Sequence, residues 1–151
     1  MNWRYLFLSM QGRIPRTQFW AGIGVIIGIQ LLVTLPVMSA QSIDPDKGNL
    51  PVWFRNLSLF LDVVCAWPLC AVLVKRQQDR DQGPQLSLAL VTLLLAFSSL
   101  EAFGLTQQGR DFTLIGYATG LPLLGLTGIV LYELGIRRGT GGPNRFGPEP
   151  H

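Results

Sequence analysis

The run from Phe19 to Met38, FWAGIGVIIGIQLLVTLPVM, holds no ionisable side chain. A helix needs about 20 mostly apolar residues to cross the hydrocarbon core of a bilayer. Inside that core every backbone group must find its partner within the segment or within a closed barrel. The run therefore reads as a transmembrane helix, and it sets the class of the whole chain. Three more apolar stretches follow: Leu57–Val74, interrupted only by Asp62; Leu86–Leu105, with Glu101 near its end; and Gly-rich Thr113–Ile136, with Glu133 in its last turn. Gly and Pro do not disqualify them, since both are more frequent in membrane helices than in soluble ones. The expected fold is all-α: a polytopic membrane protein, a four-transmembrane-helix bundle forming a single domain over residues 1–151, with spans at 19–38, 57–74, 86–105 and 113–136.

Composition removes the competing classes. Charged residues make up 14% of the chain, against roughly 25% in an average soluble domain. A soluble bundle would need charged helix faces, which the first and third runs lack. Disorder requires a polar, charge-rich chain, whereas this one is 48% hydrophobic. Ser39 and Ala40 behind the first run admit a secretory signal peptide as an alternative. The run exceeds the roughly 7–15 apolar residues of such signals, and further spans follow, so it is expected to be retained.

Basic residues in short loops mark the cytoplasmic side. Arg4, Arg13 and Arg16 precede the first span, Lys75, Arg76 and Arg80 lie between the second and third, and Arg137, Arg138 and Arg145 follow the fourth. The other side carries Lys47, Arg55 and Arg110, offset by Asp44, Asp46 and Asp111. Both termini are therefore expected in the cytoplasm. The net charge of +3 is then a record of orientation, and no nucleic-acid partner is implied. Trp3, Tyr5, Phe7, Trp20, Trp53 and Phe54 fall where interfacial aromatic belts form.

The sequence holds little conventional chemistry. Cys65 and Cys70 lie five apart in one apolar run, on different sides of a helix, and read as buried thiols rather than a disulfide. The one histidine is His151. No metal site and no cofactor is expected, and Ser98, Ser99 and Glu101 form the one polar cluster, with no histidine to act as base. The N-terminal segment Asn2–Met10 suits a short helix lying in the inner headgroup plane, with a frayed terminus as the alternative. Arg13 and Arg16, three apart, would share a face in a helical continuation and hold anionic lipid headgroups.

Three segments carry a family resemblance: Gly12-Arg13-Ile14-Pro15-Arg16-Thr17-Gln18-Phe19-Trp20; Val74-Lys75-Arg76-Gln77-Gln78-Asp79-Arg80-Asp81; and Arg138-Gly139-Thr140-Gly141-Gly142-Pro143-Asn144-Arg145-Phe146-Gly147-Pro148-Glu149-Pro150. In this order they resemble the motifs of a family of small bacterial inner-membrane proteins, domain of unknown function 805. Gln78 stands where that family usually has His, and Gly83-Pro84-Gln85 replaces a common Ser-Gly-Trp. The resemblance implies a membrane fold and a bacterial compartment, and no reaction. It marks Gly12, Arg13, Arg16, Phe19, Trp20, Lys75, Arg76, Asp79, Gly139, Asn144, Phe146, Gly147 and Pro148 as a cytoplasmic cap.

Two expectations concern how these residues are used. Within the cap, Asp79 or Asp81 would pair with an N-terminal arginine, Glu133 with Arg137 at i,i+4, and the Gly/Pro-rich irregular tail would fold back over it. The cap is either a structural element or an anion and lipid-headgroup site. Within the spans, Asp62 is sixth from the start of its run and Glu101 fifth from the end of the next, so both lie about 6–8 Å inside the outer boundary at 1.5 Å per residue. Intramembrane acids point to functional interiors. They would face each other over a proton or cation, or reach separately to headgroups, with Asp62 bonded to Ser58 and Arg55 or Arg110 as counter-ion. Pro36, Pro68 and Pro122 interrupt spans, and the Gly24/Gly28 and Gly116/Gly120 pairs would allow close helix packing. The leading expectation is a non-enzymatic accessory or assembly partner that works through its cap, with a protein partner or as a homo-oligomer. The alternative is a small oligomeric transporter or channel using Asp62 and Glu101.

Overall fold

The structure is a computed structural model that describes residues 2–42, 51–108 and 111–150. Asp44, Asp46, Lys47, Arg110 and His151, used above for charge and chemistry, lie outside the described residues. A short α1 (Trp3–Leu8) precedes the long helices α2 (Arg16–Ser42), α3 (Val52–Asp79) and α4 (Gln85–Ala102). Two antiparallel two-residue strands, β1 (Gln107–Gln108) and β2 (Asp111–Phe112), lead into α5 (Leu114–Val130), which continues as a π-helical turn over Leu131–Ile136. The chain is an all-α polytopic bundle in which four helices are long and apolar enough to cross a membrane.

Local sequence explains the boundaries. The Asn2 side chain accepts from the Tyr5 amide at 3.2 Å to start α1, and Thr113 accepts from the Gly116 amide at 3.1 Å to start α5. Both satisfy orphan donors of a first turn. Pro51 and Pro84 stand just before α3 and α4, where a missing N–H costs nothing. Pro36, Pro68 and Pro122 sit inside helices that continue through them. The apolar runs understate α3, which starts at Val52 and reaches Asp79, so Lys75, Arg76 and Asp79 are helical rather than loop residues. They overstate α4, which stops at Ala102 because Gly104 takes a φ of +72°. The small hairpin behind it was not foreseen; Thr113 closes it through a bond from its amide to the Thr106 carbonyl at 2.9 Å.

Helix α3 is central, packed on α1, α2 and α4, while α5 leans on α4 and its π turn meets α2. The outward faces are apolar: Leu32, Leu114 and Leu124 are 77%, 84% and 70% exposed. Such a surface is stable against lipid and not against water. The dense core gathers at the end holding α1 and the tail, where Leu6, Ile14, Phe19, Val72, Leu73, Val130 and Leu134 are fully buried or nearly so. This end is the cap end, and the opposite one, which carries β1 and β2, is the hairpin end. Cys65 and Cys70 are buried thiols without a bridge.

Two expectations fail here. Arg13 and Arg16 do not share a helix face, because Gly12 turns the chain with a φ of +98° and α2 begins only at Arg16. Gly24 and Gly28 have open space where a Cβ would lie, so they make no close helix contact among the described residues. Gly116 and Gly120 do: a Cβ at Gly116 would strike the Thr106 carbonyl, and one at Gly120 would touch Phe97 at 3.4 Å.

Candidate functional site

Among the described residues, the cap end buries one carboxylate, Asp79, with three cations. The last turn of α3 presents Lys75, Arg76 and Asp79, and the turn before α2 sends in Arg13. Asp79 accepts from Arg13 Nε at 3.1 Å and pairs with Arg76 through its other oxygen. The Arg13 and Asp79 side chains are only 2% and 5% exposed. Arg13 also donates to the carbonyls of Thr140 at 2.7 Å, Gly142 at 2.8 Å and Gly147 at 3.2 Å, so the tail is wrapped around its guanidinium. Arg76 donates to the carbonyls of Leu134 at 2.7 Å, Arg137 at 2.9 Å and Ile14 at 3.4 Å. Lys75 Nζ donates to the carbonyls of Tyr5 and Leu6, the latter at 2.7 Å, and lies over the Tyr5 ring.

This arrangement explains how an excess of buried positive charge is tolerated. One carboxylate cannot neutralise three cations, but the carbonyls they reach close α1, the π turn and the tail. The carbonyls of Tyr5 and Leu6 in α1 and of Leu134 in the π turn lie at helix C-termini, where they lack helical partners and carry the negative end of a dipole, and those of Thr140, Gly142 and Gly147 belong to the irregular tail. The motif glycine and asparagine have matching reasons. A Cβ at Gly139 would collide with the Asp79 carboxylate. Asn144 Nδ2 donates to the Gln78 carbonyl at 2.9 Å and to Thr140 Oγ1 at 3.0 Å, and Asn144 Oδ1 accepts from the Phe146 amide. Trp20 Nε1 donates to the Gly135 carbonyl at 3.3 Å, Phe19 is fully buried, and Pro148 follows Gly147 on the exposed side of the tail.

The expected ion pairs divide cleanly. Asp79 takes Arg13, while Asp81 pairs with Arg145 at 3.0 Å on the surface. Glu133 pairs with Arg137 at 2.7 Å and also with Arg80, a contact sequence spacing gave no hint of. Also unforeseen is Gln77, which accepts from the Ser87 amide at 3.0 Å and from its hydroxyl, clipping α3 to the first turn of α4. Arg16 opens α2 half-buried.

Toward the hairpin end the bundle opens into a cleft of about 420 Å³ between α2, α3 and α4, lined by Gln30, Thr34, Ser58, Asp62, Glu101 and Gln107 together with apolar neighbours. Asp62 and Glu101 thus share one cavity. Ser58 lines it, yet Asp62 does not take its bond there: Gln30 Nε2 donates to Asp62 Oδ1 at 2.7 Å and Ser98 Oγ to Oδ2 at 2.5 Å. Both donors are neutral, and among the described residues Asp62 forms no ion pair. Arg55 lies against Gly104, three residues beyond Glu101, within electrostatic reach of that carboxyl group. Gln30 escaped notice in the first run although a polar side chain inside a span is itself a signal. A second cavity, of about 190 Å³, continues from Asp62 and Gln30 toward the cap between apolar walls.

Residues 7–148 match the family model described as protein of unknown function (DUF805). The chain belongs to that family. The match runs from α1 to the tail and takes in the whole of the clamp on Asp79 as well as the acidic cleft. No curated protein and no solved structure matches the chain. Membership in DUF805 brings no activity with it, so function rests on the two sites themselves.

Proposed function

We propose that this DUF805 member is a multi-pass protein of the bacterial inner membrane, with both termini cytoplasmic, that takes up a proton or cation through its acidic cleft as a small oligomeric transporter or channel. The observation that carries the reading is the shared cavity of Asp62 and Glu101, with Asp62 held, among the described residues, by Gln30 and Ser98. A carboxylate has about four acceptor sites, and two neutral donors leave room for a cation. The cleft opens away from the basic cap, which the loop charges assign to the cytoplasm. Reconstituted in liposomes, the protein is expected to pass protons or sodium, and Asp62→Asn to abolish that flux. Undiminished flux in the variant overturns the reading.

A second reading keeps the chain as a non-enzymatic accessory or assembly partner acting through the cap. It is supported by Trp3, Arg4 and Arg138, which are exposed around the clamp and available to a partner protein or to anionic headgroups. Against it stands the inward use of Arg13, Lys75 and Arg76, which removes three of the seven basic side chains of the motif segments from the surface. In-membrane crosslinking that captures the same partner through cap positions, and loses it on Arg4→Glu with Arg138→Glu, would favour it. A protein that crosslinks to nothing reproducible counts against it.

A further inference from the structure

The cavity on the cap side of Asp62 differs in kind from the cleft above it. It lies where all four spanning helices converge, and its walls include Ile26, Leu69, Leu90 and Leu94. Polar groups gather at one end, where Asp62 and Gln30 form the partition shared with the cleft. Thr127, also on the wall, spends its hydroxyl on the Leu123 carbonyl at 2.8 Å within its own helix. A hydrated inorganic ion entering this chamber would exchange its water for hydrocarbon, which carries a large desolvation cost. A neutral apolar molecule would fill the space but leave the Asp62 charge without a counter-charge.

We infer that Asp62 and this chamber together form a binding site for small organic ammonium ions, with the ammonium on the carboxylate and an alkyl or aryl group in the apolar cavity. The inference rests on the cation-uptake reading and names its substrate class. The two requirements come from different residues. The lone pairs on Asp62 left over by Gln30 and Ser98 accept the N–H donors of the ammonium. The Ile and Leu walls gain from burying its hydrocarbon. The same geometry sets the selectivity: the charge without the hydrocarbon, or the hydrocarbon without the charge, meets only half of the site.

The test is calorimetric titration of the full-length protein in lipid nanodiscs, with empty nanodiscs as the blank. The probes are benzylammonium, benzyl alcohol, methylammonium and sodium. Benzylammonium is expected to bind saturably and at least about tenfold more tightly than each of the others, through the charged hydrogen bond that benzyl alcohol lacks and through the buried ring that methylammonium and sodium lack. Asp62→Asn is expected to remove the preference over benzyl alcohol. Because the comparison among probes uses the unaltered chain, it stands even if the variant folds poorly. Benzyl alcohol binding as tightly as benzylammonium would identify the chamber as a hydrocarbon or acyl-chain pocket and overturn the inference. Proton or sodium flux that depends on Asp62, without benzylammonium binding, overturns the inference and leaves the cation-uptake reading standing. Neither flux nor binding overturns both.

Discussion

The cap and the cleft handle surplus buried charge in opposite ways. At the cap the surplus is positive: Arg13 and Arg76 hold Asp79, Lys75 is buried beside α1, and what the one carboxylate cannot neutralise is met by carbonyls of α1, the π turn and the tail. Those dipoles belong to the chain and are always present, so the cluster is complete without a ligand. At the cleft the surplus is negative, and Asp62 is met by one amide and one hydroxyl, with Glu101 on the same cavity. A charge saturated by the backbone stabilises a fold, while one left partly solvated beside a cavity is available for binding. The family's motif residues fall mainly on the first kind of site, and the candidate chemistry lies on the second.

Substitutions can break this contrast at either end. Asp79→Ala strands two buried guanidiniums, and removing one partner of such a cluster costs about 3–5 kcal/mol. Thermal or denaturant unfolding in detergent should show this as the largest loss, and a loss below about 1 kcal/mol would mean that the carbonyls alone hold the arginines. Gly139→Ala pushes a methyl group into the same carboxylate, which Arg13 and Arg76 prevent from moving; about 1–3 kcal/mol is expected for overpacking, read by the same melt. Asp62→Asn keeps the shape of the side chain and removes a partly compensated charge, so stability should change by less than about 1 kcal/mol in either direction while flux is lost. A large stability loss there would make Asp62 a structural group and erase the distinction. Arg145→Ala removes an ion pair whose side chains are 60% and 45% exposed, and such pairs contribute about 0–1 kcal/mol.

Parts of both sites were legible in advance. The residues of the cap motifs, the pairing of Glu133 with Arg137 and the choice of Asp79 or Asp81 as acid partner could be named because they rest on spacing or on motif order. That Asp62 and Glu101 lie at equal depth followed from counting along their helices; that they open on one cavity did not, because helix rotation cannot be read from a uniformly apolar run. The expected lipid contact of Arg13 went astray for a local reason, since Gly12 and Pro15 delay the helix and turn the side chain inward. Gln30 and Ser98 were overlooked as partners of Asp62 because each lies on a different helix, more than 30 residues away in sequence.

By itself, the sequence determined the number of spanning helices and their approximate extent. In a hydrocarbon core each backbone group must bond within its own segment, so local composition suffices to specify a helix. Only the tertiary structure decided which cations are spent inside the cap and which acid borders a cavity. Those outcomes depend on the rotation of each helix about its axis and on carbonyls far along the chain, such as those of Thr140, Gly142 and Gly147 around Arg13.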